Sequence, residues 1–263
     1  MASGFALASK GHLNVWLFLS TLVGLSFLMA SASVFNNYLD REMDKKMART
    51  KNRALAKGTI SVKKAILFAT LLGLLGILVL ALFTNLLTVW IALAGFFAYV
   101  VLYGIWKYRS IYGTVIGSIS GSVPPVVGYC AVSHSFDMGA FLLFMILALW
   151  QMPHFFAIAL YRLEDYAAAS IPVLPVIKGV HRTKIHMLFY IIAFMVVLFL
   201  LNLFGYTGST YLVIAALLSC SWLWLCIQGF KSDNHQLWAR KMFLFSLIVI
   251  VVLSVIIAVD GVA

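Results

Sequence analysis

Eight separate apolar runs, each long enough to cross a bilayer, constrain this chain more than any other feature. They read approximately as 13–35, 65–83, 86–106, 111–132, 138–160, 186–203, 211–228 and 242–259. About 20 apolar residues span the hydrocarbon as a helix, and in that medium the backbone amides must be bonded within their own segment. Composition closes off the alternatives. With 63% of residues hydrophobic and 10% charged, against about a half and a quarter in soluble domains, a water-soluble fold cannot hide the apolar surface. The expected fold is all-α: a polytopic transmembrane helix bundle, one domain over 1–263, with the lipid bilayer as its surroundings. A soluble enzyme, a disordered tail and a nucleic-acid partner are excluded.

A net charge of +11 would point to nucleic acid in a soluble protein, but its placement says otherwise. Of the 19 Lys and Arg, 18 fall in four connections, 36–64, 107–109, 161–185 and 229–241. The alternate connections 84–85, 133–137 and 204–210 carry none. That alternation follows the positive-inside rule and predicts that the four basic loops face the cytoplasm. Cys130, Cys220 and Cys226 lie in apolar runs without CxxC spacing, so neither a disulfide framework nor a zinc site is supported. Gly4 to Ala8 is apolar but too short to cross, has no basic leader, and reads as the stump of a helix rather than a signal peptide.

Two spans differ from the rest. The run 111–132 carries Gly113, Gly117 and Gly121 with Ser118, Ser120 and Ser122, then Pro124-Pro125. Small residues every four positions let backbones approach closely. Consecutive prolines break a helix, which membranes tolerate where the freed groups are satisfied or line a cavity. A kinked packing seam and a cavity wall both fit. The run 138–160 ends in Trp150-Gln151-Met152-Pro153-His154-Phe155, and polar groups inside a span usually face an interior. His154 suits a metal ligand or a proton carrier. The plainer role is a hydrogen bond to a carbonyl freed by Pro153. Its depth favours a substrate-facing, catalytic position.

The most informative segment is Asn36-Asn37-Tyr38-Leu39-Asp40-Arg41-Glu42-Met43-Asp44. If the helix runs through it, Asn36, Asp40 and Asp44 form one ridge, each about 6 Å further along the axis. Mg²⁺ keeps several waters and completes its shell with phosphate oxygens, so a sparse oxygen ridge is the expected protein share. Arg49, Lys51, Arg53 and Lys57 follow at once. Arginine offers a bidentate fork for phosphate and lysine a mobile point charge. A solvated helix end beside a topogenic loop stays open as the bland alternative. A second polar mouth, Tyr161-Arg162-Leu163-Glu164-Asp165, closes a later span on the same side.

The acid ridge, together with Arg49 to Arg53 and Gly58 to Ser61, resembles the first Asp-rich motif of the UbiA superfamily of intramembrane prenyltransferases. Gly121 to Tyr129, Trp150 to His154, and Tyr161 to Tyr166 with Ile171 to Val176 are similar to one branch, whose members farnesylate haem. The resemblance covers nearly the whole chain. It implies nine transmembrane helices around a cavity open to the cytoplasm of a bacterial inner membrane. It also implies transfer of the farnesyl group of farnesyl diphosphate to a vinyl group of haem B, with water adding, to give haem O. By the same resemblance Mg²⁺ is the cofactor, held by Asn36, Asp40 and Asp44, with Glu164 and Asp165 from the second motif. Arg49, Lys51, Arg53 and Lys57 would clamp the diphosphate, and Asp40, Asp44, His154 and Asp165 would be the catalytic set. Haem B is then a substrate rather than a prosthetic group, with haem A synthase or terminal oxidase assembly as downstream partners.

Three departures from the family pattern bear on this. Asn37 stands where many members have Asp, which is expected to weaken the first metal site by one charge. Asp165 is followed four residues later by Ala169, so the second motif lacks its second acid. Set against the family pattern, the chain is expected to hold eight full spans plus a truncated first helix, without the Lys-Pro segment that precedes that helix in the family. Rival readings are a family member acting on an aromatic quinone precursor, a secondary transporter, and an accessory subunit of a respiratory complex. A transporter would place its polar groups near the midplane rather than at one face. An accessory subunit would have no use for the acid ridge.

Overall fold

The computed structural model describes residues 1–47 and 50–261. A short helix, α1 (Ala2–Ser9), precedes the first long one, α2 (Val15–Asp44). After the one-turn α3 (Ala54–Lys57) and the span α4 (Val62–Phe83), α5 (Leu86–Phe97) continues through a π-helical turn (Ala98–Tyr103) into α6 (Gly104–Trp106). The next span is broken into α7 (Gly113–Gly121) and α8 (Val123–Ser133), followed by α9 (Met138–Tyr161) and the short α10 (Leu163–Ala168). The last three are α11 (Leu174–Leu203), α12 (Ser209–Gln228) and α13 (His235–Val259). Eight segments among the described residues are long and apolar enough to cross a membrane. They coincide with the eight apolar runs.

The ends differ, for a physical reason. Hydropathy detects the stretch that suits hydrocarbon, whereas a helix goes on wherever its carbonyls are satisfied. Thus α2 extends past residue 35 to Asp44, and α11 and α13 begin inside connections read as loops, with a break in α11 at Gly179 (φ 80°). Several helix starts carry their own caps: Asn14 accepts from the amide of Leu17, Asn85 from Thr88, Asp137 from Ala140 and Asn234 from Leu237, each satisfying an amide the helix leaves unpaired.

Small residues bring the helices together. A Cβ added to Gly76 of α4 would stand 2.7 Å from the carbonyl oxygen of Gly24 in α2. Two turns further, Ser31 Oγ donates to the Ala69 carbonyl at 2.6 Å. The segment read as a stump is seated firmly: Phe5 of α1 is fully buried, and a side chain at Gly4 would collide with the backbone of Pro125 in α8. The main core lies where α9 meets α11 and α13, around Ile146, Met187, Ile191, Phe194, Met242 and Val249. Outward faces such as Leu71, Leu74 and Leu78 of α4, or Val251 and Val255 of α13, stay exposed, as a lipid-facing surface requires.

The break between α7 and α8 positions the site. Pro124 and Pro125 fall in the first turn of α8, where amides lack helical partners in any case. Ser122 Oγ donates to the Ser118 carbonyl at 2.7 Å, and Gln151 Nε2 of α9 reaches that same carbonyl at 3.2 Å and Ser122 Oγ at 3.1 Å. Both sequence readings of this run hold: it is a packing seam, and Gly113 and Gly117 line a cavity.

Candidate active site

Because α2 remains helical to Asp44, the four-residue spacing puts Asn36, Asp40 and Asp44 on one ridge. They are not a solvated helix end, since all three are buried. A buried carboxylate needs partners, and each has them. Asp40 Oδ2 accepts from Asn36 Nδ2 at 3.0 Å, while Asp40 Oδ1 accepts from the Tyr108 hydroxyl at 2.8 Å and pairs with Lys107 Nζ. Lys107 Nζ also donates to Asn36 Oδ1 at 2.7 Å. Arg53 Nη1 reaches both Asp44 oxygens, at 3.1 and 2.9 Å, and Thr50 Oγ1 donates to the Asp44 carbonyl.

This ridge is one wall of a cavity of about 410 Å³. The facing wall is built by the π-helical turn. One extra residue in that turn shifts the register, so that Tyr99 and Tyr103 enter the cavity with Lys107 and Tyr108 just beyond. The two tyrosine rings stack at 5.7 Å, and the Lys107 ammonium lies 5.0 Å from the Tyr103 centroid. Gly117 of α7 is glycine because a Cβ there would press to 3.0 Å on the Tyr103 ring. Phe155 of α9 forms one side, and Tyr166 with Ile171 to Val173 lines the mouth. Sharing Tyr99, Gly117 and Phe155, a more apolar hollow of about 280 Å³ leads on among Leu25, Leu28, Ala92 and Phe96.

Burial holds the Lys107 ammonium below its usual pKa, opposed by its hydrogen bond to Asp40. Burial and the Asp40 charge push the Tyr108 phenol above its ordinary range, so it stays a neutral donor. The chemistry of the donor set fits a small hard cation. Two side-chain oxygens, one from Asn36 and one from Asp40, already converge on a single positive charge. Among the described residues no group of three or more His, Cys, Asp and Glu side chains converges, at the ridge or elsewhere. A divalent ion on the ridge would therefore draw the rest of its shell from water and substrate oxygens.

Of the expected phosphate clamp, Arg53 alone lines the cavity among the described residues; Lys51 and Lys57 are exposed and do not. Arg49 lies outside the described residues. Asn37, expected to weaken the metal ridge, points elsewhere: one residue along the helix is a turn of about 100°, and its side chain lines a neighbouring groove with Arg53 and Lys64. Glu164 and Asp165 are not brought to the ridge. They line a separate depression with His235 and Gln236, and Asp165 pairs with Arg162 at 3.4 Å.

Depth along the span predicts a substrate-facing His154, but the structure turns it to α13. Its Nδ1 lies 2.7 Å from Ser246 Oγ, its ring stacks on Trp150 at 4.7 Å, and it lines neither the cavity nor the hollow. Ser246 Oγ donates to the Phe243 carbonyl, which assigns the proton of the short contact to His154. Depth sets how far along an axis a residue lies, not the direction it points. What sequence reasoning missed is Lys107 with its tyrosines. Tyr99, Tyr103 and Lys107 repeat the same four-residue spacing as the acid ridge, but a lysine at the end of a span reads equally well as a topogenic charge.

The model of the UbiA prenyltransferase family matches residues 1–248. A protoheme IX farnesyltransferase of Cronobacter sakazakii is 53% identical over 258 residues, covering 98% of this chain and 88% of that one. Among solved structures, a digeranylgeranylglyceryl phosphate synthase superposes with a TM-score of 0.83 at 19% identity, over 98% of this chain and 90% of the other. A UbiA homolog from Archaeoglobus fulgidus bound to GPP and Mg²⁺ superposes at 0.66 with 16% identity, over 98% and 94%. At those identities the structures speak for the fold.

Proposed function

The chain belongs to the UbiA prenyltransferase family, and from that premise we propose that it transfers the farnesyl group of farnesyl diphosphate to a vinyl group of haem B. Diphosphate leaves, water is taken up, and haem O is the product. The observation that carries this reading is the polar cluster of Asn36, Asp40, Asp44, Arg53 and Lys107 at one end of a cavity that becomes apolar beyond Tyr99 and Phe155. A prenyl diphosphate has that same polarity along its length. Haem B as acceptor draws on the name of the Cronobacter relative.

Asn36, Asp40 and Asp44 would hold Mg²⁺ against the diphosphate, and the ion would stabilise the negative charge that grows on the leaving group as the allylic C–O bond breaks. Arg53 and Lys107 add fixed positive charge at the same place. Substrate oxygens replace the internal pairs: Lys107 trades Asn36 and Asp40 for phosphate, and Arg53 shares its fork between Asp44 and the diphosphate. The stacked rings of Tyr99 and Tyr103 offer their faces to a developing carbocation. The adjoining hollow takes the aliphatic chain and keeps out water that would capture the cation early. We place the polar mouth on the cytoplasmic side of a bacterial inner membrane, in keeping with the four basic connections.

The test is direct. Purified protein is given farnesyl diphosphate, haem B and Mg²⁺, and the extracted haem is weighed by mass spectrometry. A farnesylated, hydrated haem that forms only with the metal supports the reading. Prenylation of an aromatic quinone precursor, with haem untouched, would reassign the acceptor.

A further inference from the structure

Arg53 stands between two spaces. On one side it holds Asp44 at the cavity. On the other it lines a lateral groove of about 350 Å³ between α2, α3 and the start of α4, together with Asn37, Lys64, Val34, Leu55 and Phe68. We infer that this groove binds an anionic phospholipid, its phosphate against Lys64 and Arg53 and an acyl chain along Val34 and Phe68.

Charge is the first argument. Two cations and an amide line the groove, and no acid does so among the described residues. The sequence has no Asp or Glu at all from Lys45 to Phe136, while ten Lys and Arg fall in that stretch. Lys64 is exposed, and among the described residues its ammonium makes no hydrogen bond or ion pair, so its charge awaits a partner from outside the chain. Depth is the second. Lys64 sits in the first turn of α4, and Phe68, 56% exposed, lies one turn deeper into the span. Head-group charge and apolar wall thus follow one another in the order that a membrane lipid presents them. Basic pockets between transmembrane helices at the membrane surface recognise anionic head groups in this way.

Retention of lipid needs no turnover, so the test answers even for a protein that never farnesylates haem. The full chain is purified from an equal mixture of phosphatidylglycerol and phosphatidylcholine, and bound lipid is counted by native mass spectrometry. Phosphatidylglycerol should be retained over phosphatidylcholine. Lys64→Glu should cut that preference about tenfold, since a cation is lost and an anion gained. Lys64→Arg should keep it, as should Lys178→Glu, which reverses an exposed charge outside the groove. A Lys64→Glu protein with undiminished preference would overturn the assignment. So would displacement of phosphatidylglycerol by added farnesyl diphosphate, which would give the groove to the prenyl donor instead.

Discussion

Asp40 is tied to three partners at once, Asn36, Lys107 and Tyr108, so the charge of one carboxylate organises the whole polar end of the cavity. Asp40→Asn keeps its shape and removes that charge. Turnover should fall roughly a hundred- to a thousand-fold, the scale of losing one preorganised electrostatic group, with membrane insertion intact. If initial rates at saturating Mg²⁺ stay close to wild type, the ridge is not the metal site. Arg53→Lys separates charge from geometry. One guanidinium nitrogen serves both oxygens of Asp44, and a lysine cannot also present the fork to phosphate. The KM for farnesyl diphosphate should rise about tenfold, near the value of one charge-assisted hydrogen bond, with the KM for haem unchanged. Equal rises for both substrates would mean a structural role. His154 belongs to the packing between α9 and α13, where it bonds Ser246 beneath Trp150. His154→Ala should therefore lower the melting temperature by a few degrees, for roughly 1 kcal/mol lost, and leave the bound-haem spectrum and turnover as in wild type. A shifted haem spectrum in that variant would restore the ligand role.

Two irregular helices shape the cavity. The π-helical turn aims Tyr99, Tyr103 and Lys107 at the acid ridge, and the break at Ser122 lets α7 lean in while α8 packs on α1. Gln151 bridges the break from α9. Gly121 must be small to admit it, because a Cβ there would stand 2.1 Å from Gln151 Oε1. Gly121→Ala should displace Gln151 and cost about 1–3 kcal/mol of stability, the usual range for overfilling a tight site. Thermal unfolding in detergent would measure it. A variant that melts with wild type would mean that the bridge contributes little to the kink.

Across the bundle, eight antiparallel crossings put the connections 45–61, 107–112, 162–173 and 232–234 at one end. The polar mouth opens among them, with Tyr108, Thr50 and Tyr166 in its lining. Single cysteines placed on a background without Cys130, Cys220 and Cys226 can report which side that is. In intact cells, Lys46→Cys and Arg109→Cys should resist a membrane-impermeant maleimide, while Ser135→Cys should react. The opposite pattern would invert the topology and put the diphosphate site outside.

The number, direction and approximate limits of the spans are local quantities. Each depends on whether one stretch of about 20 residues suits hydrocarbon better than water, and that is written in the residues themselves. The ridge Asn36, Asp40, Asp44 was legible on the same ground, since one helix fixes its own faces. What lies opposite a given face is not local. Lys107 and Tyr108 are far from Asp40 in the chain, and nothing in either segment states that α5, its π-helical turn and α6 bring them together. The rotation of α9 about its axis, which turns His154 to Ser246 and Phe155 to the cavity, is set by packing against α7, α11 and α13 at once. The same holds for Asn37 and Asp165, both of which face spaces other than the one their motifs implied. Hydrophobicity sorts residues between lipid and water. Inside a bundle, where helix faces meet one another instead of a solvent, tight packing and the pairing of buried polar groups decide which residues share a cavity.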